Sequence, residues 1–444
     1  MLAVSRAHVK TFGREALMLR AISLYSGVGG LDFGFEAAGF RTAVAVELDA
    51  IACRTMRLNR DWPVLEGDIH SISSKEILAT AGVRPGEADV LIGGPPCQPF
   101  SKSSYWVRGD AGRLDDPRSD TLTAYLRVLR DARPRAFLLE NVQGLAYKGK
   151  DEGLQLLLKG IAEVNRQAGT NYRVSWKSLN AAAYGVPQIR ERVFLIGSRD
   201  GALLDFPLPT HVDAVEESGL TRALEPYRTA WDGIGDLSAH PDDDSLVMGG
   251  QWADLLPSIP EGQNYLWHTK RGGGLPLFGW RTRYWSFLLK LSKNRPSWTI
   301  QAQPGSSIGP FHWNNRKLSA QEMCRLQTFP DGLRFDCGRT DIQKMLGNAV
   351  PSLLTEILAR SVRRQILGGE RRQVASLKLL PPRRGPIPDP ERVCPVPQKY
   401  RGLIGDHADH PGEGKGRMAL ERSNSAARPH VHETQASLFA EQGE

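Results

Sequence analysis

Cysteine is scarce in this chain, with five in 444 residues at positions 53, 97, 324, 337 and 394. The number is odd and no CxxC pair occurs. That argues against a disulfide framework or a zinc site and makes a reducing cytoplasm the expected compartment, with no bound metal. No apolar run approaches about 18 residues, so no membrane-spanning helix is expected. Residues 1–17 carry Arg6, His8, Lys10 and Arg14 without a long apolar core, unlike a secretory signal. Residues 1–19 are expected to be a flexible leader, with Met18 as an alternative start. The GxGxxG spacing of a dinucleotide site is also missing. Acidic residues are absent from 262 to 319, where nine Lys or Arg and five of the ten tryptophans fall. The net charge of +8 and pI near 9.2 permit a polyanionic partner without demanding one.

What is present is an alternation of strands and helices from residue 20 to 198. AISLYSG, TAVAVELD, VLEGD, ADVLIGGPP and AFLLENV read as strands, followed by YRVSWKSLNA and RVFLIGSRD. GLDFGFEAAGF, AIACRTMRLNR, TLTAYLRVLRDA and LQLLLKGIAEVNRQAG have apolar residues at helical spacing. Repeated strand–helix units predict an α/β fold: a doubly wound, Rossmann-like parallel sheet with helices on both faces. The expected organisation is a catalytic domain over 20–198, a smaller domain over 199–335 and a return segment over 336–367. Helical pattern returns late in the chain, at LSAQEMCRLQTF and VPSLLTEILARSVRRQIL. From 368 to 444 the chain is Pro-rich and then polar, and is expected to be a disordered tail, dispensable for activity.

In a doubly wound sheet, ligands bind outside the carboxyl ends of the strands. Here those ends carry the Ser26-Gly27-Val28-Gly29-Gly30 loop, Glu47-Leu48-Asp49, Gly67-Asp68, the Cys97 loop GGPPCQPFS and Glu140-Asn141. Glycines admit a ligand close to the backbone. Glu47, about twenty residues after the loop, can take both hydroxyls of a ribose. Asp68 could accept from an adenine amino group, or simply cap the next helix. Together these groups suit a nucleoside cofactor without phosphates. Cys97, held among three prolines at the same rim, has the setting of a nucleophile fixed at attack distance. Cys53, Cys324 and Cys394 read as structural.

These residues resemble the cytosine-C5 DNA methyltransferases, bacterial restriction–modification type. LYSGVGGLDFGF is similar to the family's first motif, GGPPCQPFS to its catalytic loop and ENV to the motif of its catalytic glutamate. QIRERVFLIG, RKLSAQEMCRLQTFP and GNAVP follow in family order. The resemblance covers about 20–198 and 316–365. Many members have Asp where this chain has Ser23, and Phe where it has Tyr25; either aromatic leaves a ring to stack on adenine. The resemblance implies Cys97, Glu140, Arg190 and Arg192 as catalytic residues, with S-adenosyl-L-methionine as methyl donor. It implies Tyr25, Gly27, Gly29, Gly30, Glu47, Leu48, Asp68, Ile69, Pro96, Leu122, Asn348 and Val350 around the donor. Asn141 is read as fixing the loop.

The resemblance also implies base flipping, with double-stranded DNA as substrate and 199–315 choosing the site. Expected DNA contacts are Ser101 and Arg108 in the lid-like 101–119, Gln188, Arg271, Arg281, Arg283 and Arg316. RTR at 281–283 would put both arginines on one face if it is a strand. A monomer is expected, with a cognate restriction endonuclease as a partner acting on the same site. An RNA-directed enzyme, a catalytically dead regulator and an NAD oxidoreductase are the competing readings.

Overall fold

The computed structural model describes residues 18–96, 120–142, 152–213, 224–237, 244–281, 284–369 and 376–407. Cys97, Ser101, Arg108 and Arg283, the leader to residue 17 and the tail past 407 lie outside the described residues.

Seven strands form one sheet: β1 (Leu19–Leu24), β2 (Phe40–Glu47), β3 (Val64–Glu66), β4 (Val90–Gly93), β5 (Ala136–Val142), β6 (Arg173–Asn180) and β7 (Glu191–Ser198). Their order is β3-β2-β1-β4-β5-β7-β6. The expected strands are all present, and AFLLENV keeps its bounds. One strand departs from a purely parallel sheet: β7 runs antiparallel to both β5 and β6. Only residues 181–190 separate β6 from β7, too few for the crossover a parallel pair requires.

Among the described residues, five helices belong to the alternating half: α1 (Gly30–Ala37), α2 (Ala50–Asn59), α3 (Ser74–Ala81), α4 (Asp120–Ala132) and α5 (Glu152–Ala168). The central strands β1, β4 and β5 bury both faces, which is why they read as continuous apolar runs. Ile22, Leu24, Leu91, Phe137, Leu139, Val193 and Leu195 pack with Ile77 of α3, Val128 of α4 and Ile161 of α5. The alternate residues Ala21, Val90, Ile92, Leu138, Phe194 and Ile196 pack on the opposite face with Leu31 and Phe35. Helix α3 is the helix expected after Asp68, but Ser73 and not Asp68 caps its start, and Gly82, at φ 63°, ends it.

Later in the chain come α6 (Ala230–Ile234), α7 (Ala320–Leu326), α8 (Arg339–Asn348) and α9 (Ser352–Gln365). Helix α8 is an element that the sequence pattern did not reveal. The return of α9 to α1 depends on glycine. A Cβ on Gly34 would lie 1.8 Å from Thr355 Oγ1, and one on Gly30 would lie 2.6 Å from the Val350 carbonyl oxygen. In the space so left, Ser352 Oγ donates to the Gly30 carbonyl at 3.0 Å and Thr355 Oγ1 donates to it at 3.3 Å.

The described chain falls into two compact units. The first holds the described residues up to Asn264 together with 286–395. The second holds the described residues of 265–285 together with 396–407, including the short helix α10 (Gln398–Arg401). The stretch 199–335 is shared between them.

The expectation of disorder past residue 368 is corrected for 376–407. Leu377, Leu379 and Leu380 pack on the core of the first unit. Fully buried Glu356 accepts the Lys378 and Leu379 amides at 2.9 and 3.0 Å. Asp232 accepts the Arg384 amide at 2.8 Å and Arg383 Nη1 at 3.0 Å. Lys293 Nζ, also buried, meets Glu261 at 2.8 Å and Glu391 at 2.9 Å. Residues 376–395 have too few apolar residues for a core of their own, and buried carboxylates of the first unit, to which they belong, hold them.

Ending the chain at 368 would leave Glu356 without both amide donors and Lys293 without Glu391. Breaking such buried contacts costs about 3 kcal/mol or more, roughly 5–10 °C in melting temperature. A chain ending at 407 is expected to melt like the full chain, and one ending at 368 to melt lower by that amount. Equal melting of all three would show that 376–407 contributes no stability.

Candidate active site

The register places the strand ends level with one another. Leu24 of β1 lies beside Val46 of β2 and Gly93 of β4, and Gly93 lies beside Leu139 of β5. Glu140 is therefore one residue beyond that line, at the height of Gly94. A Cβ on Gly94 would come within 2.9 Å of Glu140 Oε2, so the carboxylate sits against bare backbone at the root of the Cys97 loop. Asn141 Nδ2 donates to the Pro95 carbonyl at 3.3 Å, and its Oδ1 accepts the Val142 amide at 2.7 Å. Asn141 thus fixes the loop, as the sequence suggested. Thr121 adds a second tie, from Oγ1 to the Pro96 carbonyl at 3.5 Å.

Glu140 is 8% exposed and pairs with Arg192, whose Nε lies 2.9 Å from Oε1. Burial holds the Glu140 carboxyl above the usual range, against the pull of Arg192 and then Arg190. The two arginines of the RxR pattern differ in their partners. Arg190 is fully buried; its Nη2 donates to the Gly347 carbonyl at 2.7 Å and its Nη1 to Ile300 at 3.4 Å. It fastens the GNAVP turn beneath the site, while its charge still acts on Glu140.

The glycine loop after β1 is shaped by Glu47. Its Oε2 accepts the Gly27 amide at 2.7 Å, and its Oε1 accepts the Leu48 and Asp49 amides at 2.9 Å each. Gly27, at φ 55°, has open space where a side chain would start. Gly29, at φ 87°, has the Trp62 ring 2.9 Å from that point and could hold no side chain. Tyr25 also has a positive φ, 54°, and its hydroxyl donates to the Thr121 carbonyl at 2.7 Å. Asp68 Oδ1 accepts the His70 amide at 3.0 Å; it bends its own loop, and Ser73 is the helix cap. Leu48 is 68% exposed, whereas Ile69, Leu122 and Val350 are buried and Pro96 and Asn348 lie at the surface. Glu47 and Asp68 make this rim acidic, which suits hydroxyls and a positively charged sulfonium and opposes a pyrophosphate.

Several positioning residues were not anticipated. Arg127 of α4 donates to the carbonyls of Ile69 at 2.7 Å and Ile72 at 3.0 Å, holding the Asp68 loop. Asp32 lies fully buried below the glycine loop. It accepts Ser23 Oγ at 3.0 Å and Thr42 Oγ1 at 2.9 Å, and Ser23 in turn accepts Ser26 Oγ at 2.9 Å. Where many members of the family carry Asp, this chain has Ser23, with a carboxylate supplied from α1 instead. An arginine inside the amphipathic α4 and an acid in an otherwise apolar helix turn were the available signals.

Two expected DNA contacts are corrected. Gln188 is fully enclosed; its Oε1 accepts the Ile300 amide and its Nε2 donates to Leu326, each at 3.4 Å. Arg316 grips Glu322 through both guanidinium ends, at 2.8 and 2.6 Å, and Glu322 closes the capping box of α7 with Ser319. Both side chains are committed to partners within the protein. Lys290 and Lys293 of the acid-free stretch are likewise buried. Arg271 and Arg281 are exposed: Arg271 lies 4.0 Å over the Trp280 ring and Arg281 lies 5.8 Å from the Tyr284 ring. Residue 281 is not in a strand.

Asp32 gives the glycine-loop network a pH dependence. Burial pushes its carboxyl up to about 6, despite the Thr42 and Ser23 bonds. A raised carboxyl stabilises the fold below the ordinary range near pH 4, and that contribution is lost as pH rises through about 6. Relative to the parent, Asp32→Asn should gain up to about 2–3 kcal/mol between pH 4.5 and 7. Melting curves across that range test this; a difference that stays flat with pH would refute it.

The sequence pattern of the family described as C-5 cytosine-specific DNA methylase matches residues 19–364. Type II methyltransferase M.SacI of Streptomyces achromogenes is 39% identical over 372 residues, covering 78% of this chain and 93% of that protein. Type II methyltransferase M.AquIA of Picosynechococcus is 46% identical over 224 residues, covering 49% of this chain and 88% of that protein. In fold, the chain is similar to the crystal structure of a DNA modification methyltransferase encoded in an E. coli prophage. The TM-score is 0.53, with 24% identity and coverage of 79% and 99% of the two chains. The match spans the sheet, the Glu140–Arg192 pair and the returning α9, and this chain therefore belongs to the C-5 cytosine-specific DNA methylase family.

Proposed function

We propose that this enzyme transfers a methyl group from S-adenosyl-L-methionine to C5 of a cytosine flipped out of a short duplex site. The observation that carries this reading is the buried Glu140–Arg192 pair beside Gly94, three residues before Cys97. Cytosine is not nucleophilic at C5. Addition of the Cys97 thiolate to C6 pushes an electron pair toward C5, which takes the methyl; loss of the C5 proton then expels the thiolate. Protonated Glu140 donates to N3 as the ring gains electrons and accepts from the exocyclic amine. Arg192 orients that carboxyl and Arg190 steadies the turn behind it. The donor, when bound, supplies an electrophilic methyl on sulfur. Glu47 has one lone-pair direction left for a ribose hydroxyl after its three amides, and Leu48 offers a bare apolar face to the base. The similarity to type II methyltransferases supports a restriction–modification role, protecting DNA from a nuclease acting on the same site.

The two buried cysteines are poor rivals as nucleophiles. Burial pushes the thiols of Cys53 and Cys324 up to about 12. A 5-fluorocytosine duplex with the methyl donor should therefore trap a covalent adduct on Cys97, and Cys97→Ser should abolish transfer while retaining duplex binding. An adduct mapped to Cys53 or Cys324, or efficient methylation of tRNA with none of duplex DNA, would overturn the reading.

Glu140 also sets a pH limit. Its raised carboxyl must hold a proton, so the rate at saturating substrates should decline as pH rises through that raised value. Glu140→Gln should remove this alkaline limb and lower kcat by about 100- to 1000-fold. A pH profile unchanged in the variant would assign the limb to another group.

A further inference from the structure

We propose that the segment 396–407, beyond the family match, completes a DNA-gripping face on the second unit, with Lys399 and Arg401 as phosphate contacts. The proposal rests on the reading that the acid-free stretch faces DNA. Within this unit the two segments are tied together: the Gly405 amide donates to the Pro276 carbonyl at 3.3 Å, and Lys270 pairs with Asp406. Tyr265 anchors the far end, its hydroxyl donating to the Arg281 carbonyl at 2.8 Å and accepting the Arg281 amide at 2.9 Å.

The charge of the unit is strongly one-sided. Its described residues carry Lys270, Arg271, Arg281, Lys399 and Arg401 against a single acid, Asp406, which Lys270 engages. The whole chain, by contrast, has 57 basic to 49 acidic residues. Arg271, Arg281, Lys399 and Arg401 are all exposed. Three of them lie against rings, Lys399 being 5.0 Å from the Tyr400 centroid. Ring contact restricts a long cationic side chain while leaving its charge at the surface, which reduces the entropy lost on meeting a phosphate. A small unit whose exposed side chains are cations beside aromatics fits the backbone of a duplex, where each neutralised phosphate releases counterions.

The test uses the full chain with Lys399→Gln and Arg401→Gln together, beside Arg281→Gln. Affinity for cognate and scrambled duplexes is measured across salt, and melting temperature confirms that the fold is intact. The double variant should weaken both duplexes alike, about tenfold at moderate salt, and flatten the slope of log affinity against log salt by roughly 2. If it matches the parent while Arg281→Gln weakens binding, the segment is only a brace, the proposal fails and the acid-free stretch remains the DNA face. If neither variant weakens binding, the reading of that stretch fails too.

Discussion

The site depends on keeping a carboxylate and a guanidinium together out of water. Separating Glu140 from Arg192 would leave a buried charge uncompensated, at a cost of several kcal/mol. The sheet prevents it. Antiparallel pairing of β5 with β7 sets Glu140 opposite Phe194 and Arg192 opposite Val142, so the two side chains meet on the diagonal. One strand running against the others is thus what brings the cation to the acid. A bare Gly94 on the other side leaves the space for it.

Carboxylates recur as fasteners elsewhere. Glu47 gathers three amides to shape the glycine loop, Glu322 closes a helix cap, and Asp232 and Glu356 hold the segment after α9. Exposed positive charge gathers in the second unit, where the described residues hold a single acid.

The central strands β1, β4 and β5 were legible because both of their faces are buried, giving unbroken apolar runs, and the rim residues followed from where those runs end. The direction of β7 was not, since apolar content is blind to direction; only the short 181–190 connection encodes it. Gln188 and Arg316 looked like surface donors because sequence alone does not reveal which polar side chains are enclosed. For 376–407, a rule that asks whether a segment can fold by itself does not apply to one that folds onto another surface. Asn141 was read correctly, because a side-chain amide beside a proline loop has few other tasks.

The seam between α1 and α9 bears on how the protein is made. Ser352 reaches the Gly30 carbonyl across 322 residues of sequence, and the bare backbone at Gly34 leaves the room that Thr355 occupies. At about 5–20 residues per second, the first helix leaves the ribosome roughly 15–65 s before its partner exists. During that interval its glycine-rich, apolar side has no native cover. The first half of the sheet must therefore wait, loosely collapsed or shielded by a chaperone, for the end of the chain to close it.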